Sequence, residues 1–474
     1  VRIGVIGAGP SGLAVAWELL AHGRAHGVEP QVDVYERSGR PGGNVWTDAS
    51  EGYQIEQGPE GFLDSAPRTL QLIEELGLGA RVVSASDAAA ARFVYADGRL
   101  HPVPTGPAAF LRSPLLPLAA RLRVLTEPFR KPGRDADESV LAFATRRLGF
   151  LAAERLVGAM VAGVYAGDAA ALSMPAAFPR LATMEREHGS LTRALIASRR
   201  AARRAGRRAG GPAGPSGRLT SFAGGMRELI EGLAGALGDR LHLGAGAVAV
   251  APTGARWRVH FEGREEVFDR LIVTTPPWYA ARLVRDVDSE LAATLGDIPG
   301  APIAAVALGF DAAALAGVNV KGFGFLVPKG QGLRILGSLW SSSIFPGRAP
   351  SGRVLLRTLV GGARDPRAGE LEDDRLLQLV HDDLATAMGV RAAPEFVRIY
   401  RHPRGIPQYT VGHLARLQAM RERLDRLPGL LLHGNGYRGI SLNDCVRFAA
   451  EVADQALERR PTPADHPRPT RALA

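Results

Sequence analysis

At 474 residues, 46% hydrophobic and 22% charged, the chain is long enough to bury a substantial core and to divide into two or three domains. Its formal charge is +10, yet its only lysines are Lys131, Lys321 and Lys329. The remaining basic residues are arginine, which together with abundant Ala and Gly marks a GC-rich coding bias. No nucleic-acid-binding motif accompanies the charge, so an anionic ligand or an anionic membrane surface suits it better. The single cysteine, Cys445, excludes an internal disulfide framework and a cysteine-rich metal site, and points to a reducing, cytoplasmic setting. No secretory signal is visible at the start, and no apolar run is long enough to span a bilayer.

The first 36 residues read as a βαβ unit: strand "RIGVIG", a Gly-rich turn, helix "SGLAVAWELLAHG" and strand "QVDVYE". Helical periodicity and proline-punctuated apolar segments dominate from about 105 to 200. A basic helix end then runs into a flexible Gly/Pro loop at 199–217. Three strand-like runs follow: "LHLGAGAVAVAP", "RWRVHFEG" and "REEVFDRLIVTTPP". Strands "IAAVALGF", "GRVLLRTLVGG" and "EFVRIYRHP" then alternate with the helix "EDDRLLQLVHDDLATAM". The body closes on strand "GLLLHGN", a second Gly-rich turn and helix "DCVRFAAEVADQALERR". Residues 459–474 are Pro-rich and read as a disordered tail. Two strand–glycine–helix units at opposite ends would serve one nucleotide-binding domain if the middle were inserted into it.

"GAGPSG" spans Gly7, Ala8, Gly9, Pro10, Ser11 and Gly12. It follows a strand and opens a helix, the setting that a dinucleotide fingerprint requires. Gly7 permits the tight turn, Gly9 lets backbone approach a pyrophosphate, and Gly12 allows close helix packing. The helix N-terminus offers N–H groups and its positive dipole end to phosphate. Glu36, ending the second strand, is placed to accept hydrogen bonds from ribose hydroxyls. "RPGGNVWT" then sets Gly42 beside Gly43, and "IEQGPEGF" brings Gly58, Pro59, Glu60 and Gly61 just after a strand. Late in the chain, backbone N–H groups of Ile440, Ser441 and Leu442 would point at one cofactor region as a helix begins, with Asn443 and Asp444 as caps. On residues alone, Arg92 reads as a surface or salt-bridge arginine, His402 as structural and Cys445 as buried and unreactive.

"RPGG" resembles the RxGGRxxT motif of flavin amine-oxidase-like proteins, with Asn44 where that motif has arginine. In order along the chain, "GAGPSG", "RPGG", "EQGP", "GVYAGD", "SFAGGM", "GFGFLVP", "IFPGRAP", "LVGGAR", "GIPQYTVGHL" and "GNGYRGISLNDC" resemble the oxygen-dependent protoporphyrinogen oxidases. The blocks run from residue 3 to about 455. The resemblance implies an α/β fold with a discontinuous Rossmann-like FAD-binding domain (1–65, 215–285 and 425–458). A mixed-sheet substrate domain (80–105 and 286–424) would be inserted into it, beside a mostly helical, membrane-facing domain (106–214). It implies non-covalent FAD against Gly7, Ala8, Gly9, Pro10, Ser11, Gly12, Glu36, Arg40, Gly42, Gly43, Gly58, Pro59, Glu60 and Gly61. Val248 would hold the adenine through its backbone, with Ile440, Ser441 and Leu442 near the flavin. It also implies a tetrapyrrole pocket lined by Gly163, Leu326, Leu339 and Leu359, with Arg92 pairing a substrate propionate. Leu359 replaces a phenylalanine of the plant enzymes and His402 a tryptophan of a bacterial relative.

The implied reaction is a six-electron oxidation of protoporphyrinogen IX in three two-electron rounds, with oxygen as acceptor and hydrogen peroxide released. No Ser/His/Asp set, metal-ligand cluster or carboxylate pair is evident, in keeping with flavin-driven chemistry. Peripheral contact with the inner face of the cell membrane, a homodimer and hand-off of product to a ferrochelatase are further expectations. Three rivals remain: a coproporphyrinogen oxidase on the same fold, an amine oxidase or carotenoid desaturase, and a flavin-binding protein without activity.

Overall fold

The computed structural model describes residues 1–458 apart from His26, Val28, Arg134 and 205–216. The expected tail at 459–474 and most of the Gly/Pro loop therefore lie outside the described residues.

A five-stranded parallel sheet runs in the order Leu241–His242, Gln31–Tyr35, Arg2–Ile6, Arg270–Val273, Leu430–Leu432. Its strands come from widely separated parts of the chain. Arg2–Ile6 is central because Ile3, Gly4, Val5 and Ile6 are apolar and can be covered on both faces. The helix Pro10–Ala25 packs between the helices Arg227–Leu237 and Leu442–Leu457. Leu13, Ala14, Leu19, Leu229, Leu233, Val446 and Ala449 make the seam.

Two expected strands divide. "LHLGAGAVAVAP" forms Leu241–His242 in the parallel sheet and Ala247–Thr253 in a three-stranded antiparallel sheet. "REEVFDRLIV" breaks at Asp269, whose carboxylate accepts the Arg2 N–H at 2.8 Å, so Arg264–Phe268 and Arg270–Val273 enter different sheets.

A seven-stranded mixed sheet forms the second body, in the order Phe396–Pro407, Gly300–Asp311, Arg353–Gly361, Ile335–Leu339, Gly324–Leu326, Arg92–Ala96, Arg99–Pro102. Only the Gly324–Leu326 and Arg92–Ala96 pair is parallel. One face is covered by the helix Asp373–Met388 through Leu376, Val380 and Leu384, packed on Val306, Phe325, Trp340 and Leu356. The other face is half-buried and carries the candidate site. The described residues of 107–204 are mostly helical and are anchored internally by charge: Arg147 is fully buried between Glu127 and Glu185.

Candidate functional site

Main-chain geometry builds the first glycine turn. Gly7 adopts φ 105°, which a side chain rarely tolerates. A Cβ on Gly12 would collide with the Gly7 carbonyl oxygen, so the helix starts hard against the first strand. A Cβ on Gly9, in contrast, would meet nothing within 4 Å. That open space beside the first helical turn suits a pyrophosphate, because N–H groups there lack intrahelical partners. The Glu36 carboxylate is steadied by the Ala8 and Ser38 N–H groups, both at 2.9 Å, and each oxygen keeps a further lone pair. The residues present therefore fit a dinucleotide such as FAD.

The second glycine pair stacks on the first turn. The Gly42 N–H donates to the Ala8 carbonyl at 2.7 Å, and a Cβ on Gly43 would lie 3.6 Å from Gly9 Cα. Arg40 braces this loop by donating to the carbonyls of Pro41 and Gly43 and to Gln57 Oε1. Asn44 donates to the Gly405 carbonyl at 3.4 Å. The next loop stacks on that one in turn: a Cβ on Gly58 would strike the Asn44 carbonyl, and one on Gly61 would strike that of Thr220.

The late glycine turn arrives beside the early one, for a Cβ on Gly434 would lie 3.7 Å from Ser11 Oγ. Ser441 caps the helix Leu442–Leu457 in a capping box with Asp444. Of the two expected caps, Asp444 takes part and Asn443 does not. Asn443 instead donates to the Leu63 carbonyl at 2.9 Å, because it lies inside the helix and faces a neighbouring strand. Ile440 and Ser441 thus form the helix entry. Val248 is 55% exposed and sits in a bulge opposite the strand Arg256–Phe261. It follows the turn whose Ala245 N–H donates to the Glu36 carbonyl.

Strand register gathers the remaining candidates. Leu359, Gly337, Leu326 and Val94 lie in one cross-strand row, and Arg357, Leu339, Gly324 and Arg92 in the next. Residues two apart on a strand share a face, so Arg92, Leu326, Leu339 and Leu359 lie together on the face opposite the Asp373–Met388 helix. The four strands span about 14 Å. Gly163 borders the same face, its Cβ position only 2.8 Å from Leu326 Cδ2. Arg92 lies exposed with its guanidinium 4.7 Å from the Phe323 ring, and no carboxylate among the described residues pairs with it.

A buried polar cluster between the two bodies escaped the sequence reading. Arg348 is 2% exposed and lies 3.3 Å from Glu56, which also accepts from Thr47 and from the Met226 N–H. Burial pushes the Glu56 carboxyl up to about 7, against the pull of Arg348. Arg357 donates to the Gly58 carbonyl at 2.5 Å and faces Glu60 Oε1 at 3.4 Å, while Ser341 donates to that oxygen at 2.7 Å. His402 donates to the Gln57 carbonyl at 2.9 Å, and burial lowers its pKa, so it stays neutral. Two signals pointed here: an arginine inside the apolar strand "VLLRTLVG" and two acids four apart in "IEQGPE". Cys445 is buried, and that burial raises its thiol pKa to about 11, as an unreactive thiol requires.

Among the described residues no group of His, Cys, Asp and Glu could hold a metal ion, and no helix is long and apolar enough to cross a membrane.

Residues 10–457 match the flavin containing amine oxidoreductase family. Protoporphyrinogen oxidase of the Nicotiana tabacum chloroplast is 33% identical, covering 95% of this chain and 84% of its own length. Coproporphyrinogen III oxidase of Propionibacterium freudenreichii is also 33% identical, covering 96% and 90%. A crystal structure from Exiguobacterium sp. 255-15 superposes with a TM-score of 0.80 at 27% identity, covering 96% of this chain and 98% of that one. The chain thus belongs to the flavin-containing amine oxidoreductases and, within them, to the porphyrinogen oxidase family.

Proposed function

We propose that this protein oxidises protoporphyrinogen IX to protoporphyrin IX. The family makes it an FAD-dependent oxidase acting on a porphyrinogen; the choice of protoporphyrinogen is our reading. Bound FAD supplies the two-electron oxidations, with O2 as the final acceptor. The stacked glycine turns would hold the cofactor. Leu326, Leu339 and Leu359 would hold the apolar macrocycle and exclude water from it. The observation that carries the reading is Arg92, exposed on the same sheet face as the three leucines and unpaired with any carboxylate among the described residues. It offers a charge-assisted hydrogen bond to one propionate at the rim. Protoporphyrinogen carries two propionates and coproporphyrinogen four. One cationic anchor beside an apolar wall favours the less charged substrate.

The test is porphyrin fluorescence in air with protoporphyrinogen IX and coproporphyrinogen III in parallel. A higher kcat/KM for the first supports the reading, and preference for the second moves the protein to the coproporphyrin branch. Arg92→Ala should raise KM about tenfold, worth about 1.4 kcal/mol, and change kcat less. An unaltered KM would remove Arg92 from the propionate site.

Peripheral membrane contact is the second element of the proposal. Leu118, Leu122, Leu125, Phe129 and Phe150 are each at least 50% exposed. They lie beside Arg112, Arg121 and Arg130 on the helical segment. Such a mixed apolar and cationic face suits an anionic bilayer surface. Leu122→Asp combined with Phe129→Asp should abolish co-sedimentation with phosphatidylglycerol vesicles. Equal sedimentation of variant and parent would refute the assignment.

A further inference from the structure

We infer that Arg357 is a positioning residue for the oxidation. It sets the separation between the Gln57–Gly61 loop, stacked on the cofactor turns, and the sheet face that carries Leu326, Leu339 and Leu359. The inference rests on the functional reading above.

Three observations carry it. First, the turns form a continuous stack from Gly9 through Gly43 and Asn44 to Gly58, each pressed against the one before by the missing Cβ atoms. The position of Gly58 therefore reports on the cofactor side of the cavity. Second, the Gly58–Pro59 peptide has no N–H, so its one polar handle is the Gly58 carbonyl. Arg357 takes that handle at 2.5 Å. Third, Arg357 is only 5% exposed and stands in the cross-strand row of Leu339, two residues before Leu359 on the same face. It thus joins a rigid sheet to the loop.

Glu60 completes the strut. Its Oε1 faces Arg357 at 3.4 Å and accepts from Ser341, itself just beyond Leu339, at 2.7 Å. The bond from His402 to the Gln57 carbonyl supports the same loop from the strand Phe396–Pro407. One strand, through Arg357, and the start of a short helix, through Ser341, therefore hold one five-residue loop by its Gly58 carbonyl and Glu60 carboxylate, with the far edge strand adding His402. Reaction rates depend steeply on the distance between reacting atoms, so a small loop displacement would lower turnover without removing either binding surface.

Replacing Arg357 alone leaves Glu60 buried and unpaired, which could unfold the junction. The informative protein is therefore the double variant Arg357→Gln/Glu60→Gln, compared with Arg357→Lys and the parent, all as holoenzymes. Bound FAD, visible circular dichroism of the flavin, kcat and KM are measured on each. The double variant is expected to retain one FAD per chain, to show an altered flavin dichroism, and to lose about tenfold or more in kcat with KM within about threefold. Arg357→Lys should recover part of kcat, because an ammonium can still reach the carbonyl. A double variant with bound FAD, parental dichroism and kcat within about twofold of the parent would overturn the inference alone. A parent chain that binds no FAD would overturn the functional reading, and this inference with it.

Discussion

Gly9→Ala is expected to fold like the parent protein and yet to lose FAD, whereas Gly12→Ala is expected to lose both. The two glycines stand three residues apart in one motif but have opposite surroundings. At Gly12 a methyl group would overlap the Gly7 carbonyl and lie 2.6 Å from Thr274 Oγ1, so the helix must shift or the strand must yield. Overpacking of this kind costs about 1–3 kcal/mol or more where the neighbour is backbone. At Gly9 the methyl meets nothing within 4 Å in the protein itself, and the residue is not at positive φ. The space it would occupy is where a pyrophosphate would approach the main chain. Apo-protein melting temperature and FAD titration separate the cases. Gly9→Ala should keep the apo melting temperature and weaken FAD by about a hundredfold, worth about 2.7 kcal/mol. Unchanged FAD affinity in Gly9→Ala would place the pyrophosphate elsewhere.

The second large effect is acid sensitivity from two buried histidines. His413 is 1% exposed, donates to the Tyr437 carbonyl at 2.9 Å and stacks on Tyr409. His433 is 4% exposed and donates to the Cys445 carbonyl at 3.1 Å. Burial lowers both to about 4 from an ordinary value of 6.5. Both stay neutral in the folded protein while the unfolded chain protonates them below about 6.5. The unfolded state then binds more protons, so their contribution is fully present above pH 6.5. It is lost as pH falls through 4. By linkage each loses about 2 kcal/mol between pH 6.5 and 4.5.

Glu56 acts in the opposite sense. Its folded pKa is raised to about 7, so its contribution is fully present at low pH and fades as pH rises through that value. It offsets part of the loss, not all of it. Chemical denaturation at pH 7 and pH 4.5 should show a fall in stability, and the fall should be about 2 kcal/mol smaller in His433→Gln. The slope is the readout, because the substitution also changes absolute stability. Equal slopes would mean that His433 is protonated in the folded protein.

The glycine turns were readable because each is local. A strand, three glycines and a helix start within a dozen residues, and the backbone angle at Gly7 and the tight packing at Gly12 follow from neighbours a few residues away. Glu36 was legible for the same reason, since the end of the second strand lies beside the first turn in any right-handed βαβ unit. Helix capping at 441–444 was close to legible, but the cap fell on Ser441 because Asn443 found a partner 380 positions away at Leu63.

Contacts between distant segments decided the rest. Whether "REEVFDRLIV" is one strand or two depended on Asp269 meeting Arg2 across 267 positions. The grouping of Arg92 with Leu326, Leu339 and Leu359 came from register among four strands, and a shift of one residue would have turned any of them to the opposite face. Arg357 reads in sequence only as a charge inside an apolar strand. Its role arises where Gly58 and Glu60, nearly 300 positions earlier, close on the same sheet face. By itself, then, the sequence determined the first glycine turn and the open helix start beside it, since short-range sterics suffice there. The tertiary structure alone decided the junction between the two bodies, because burying Glu56 and Glu60 is tolerable only when each meets its arginine, Arg348 and Arg357.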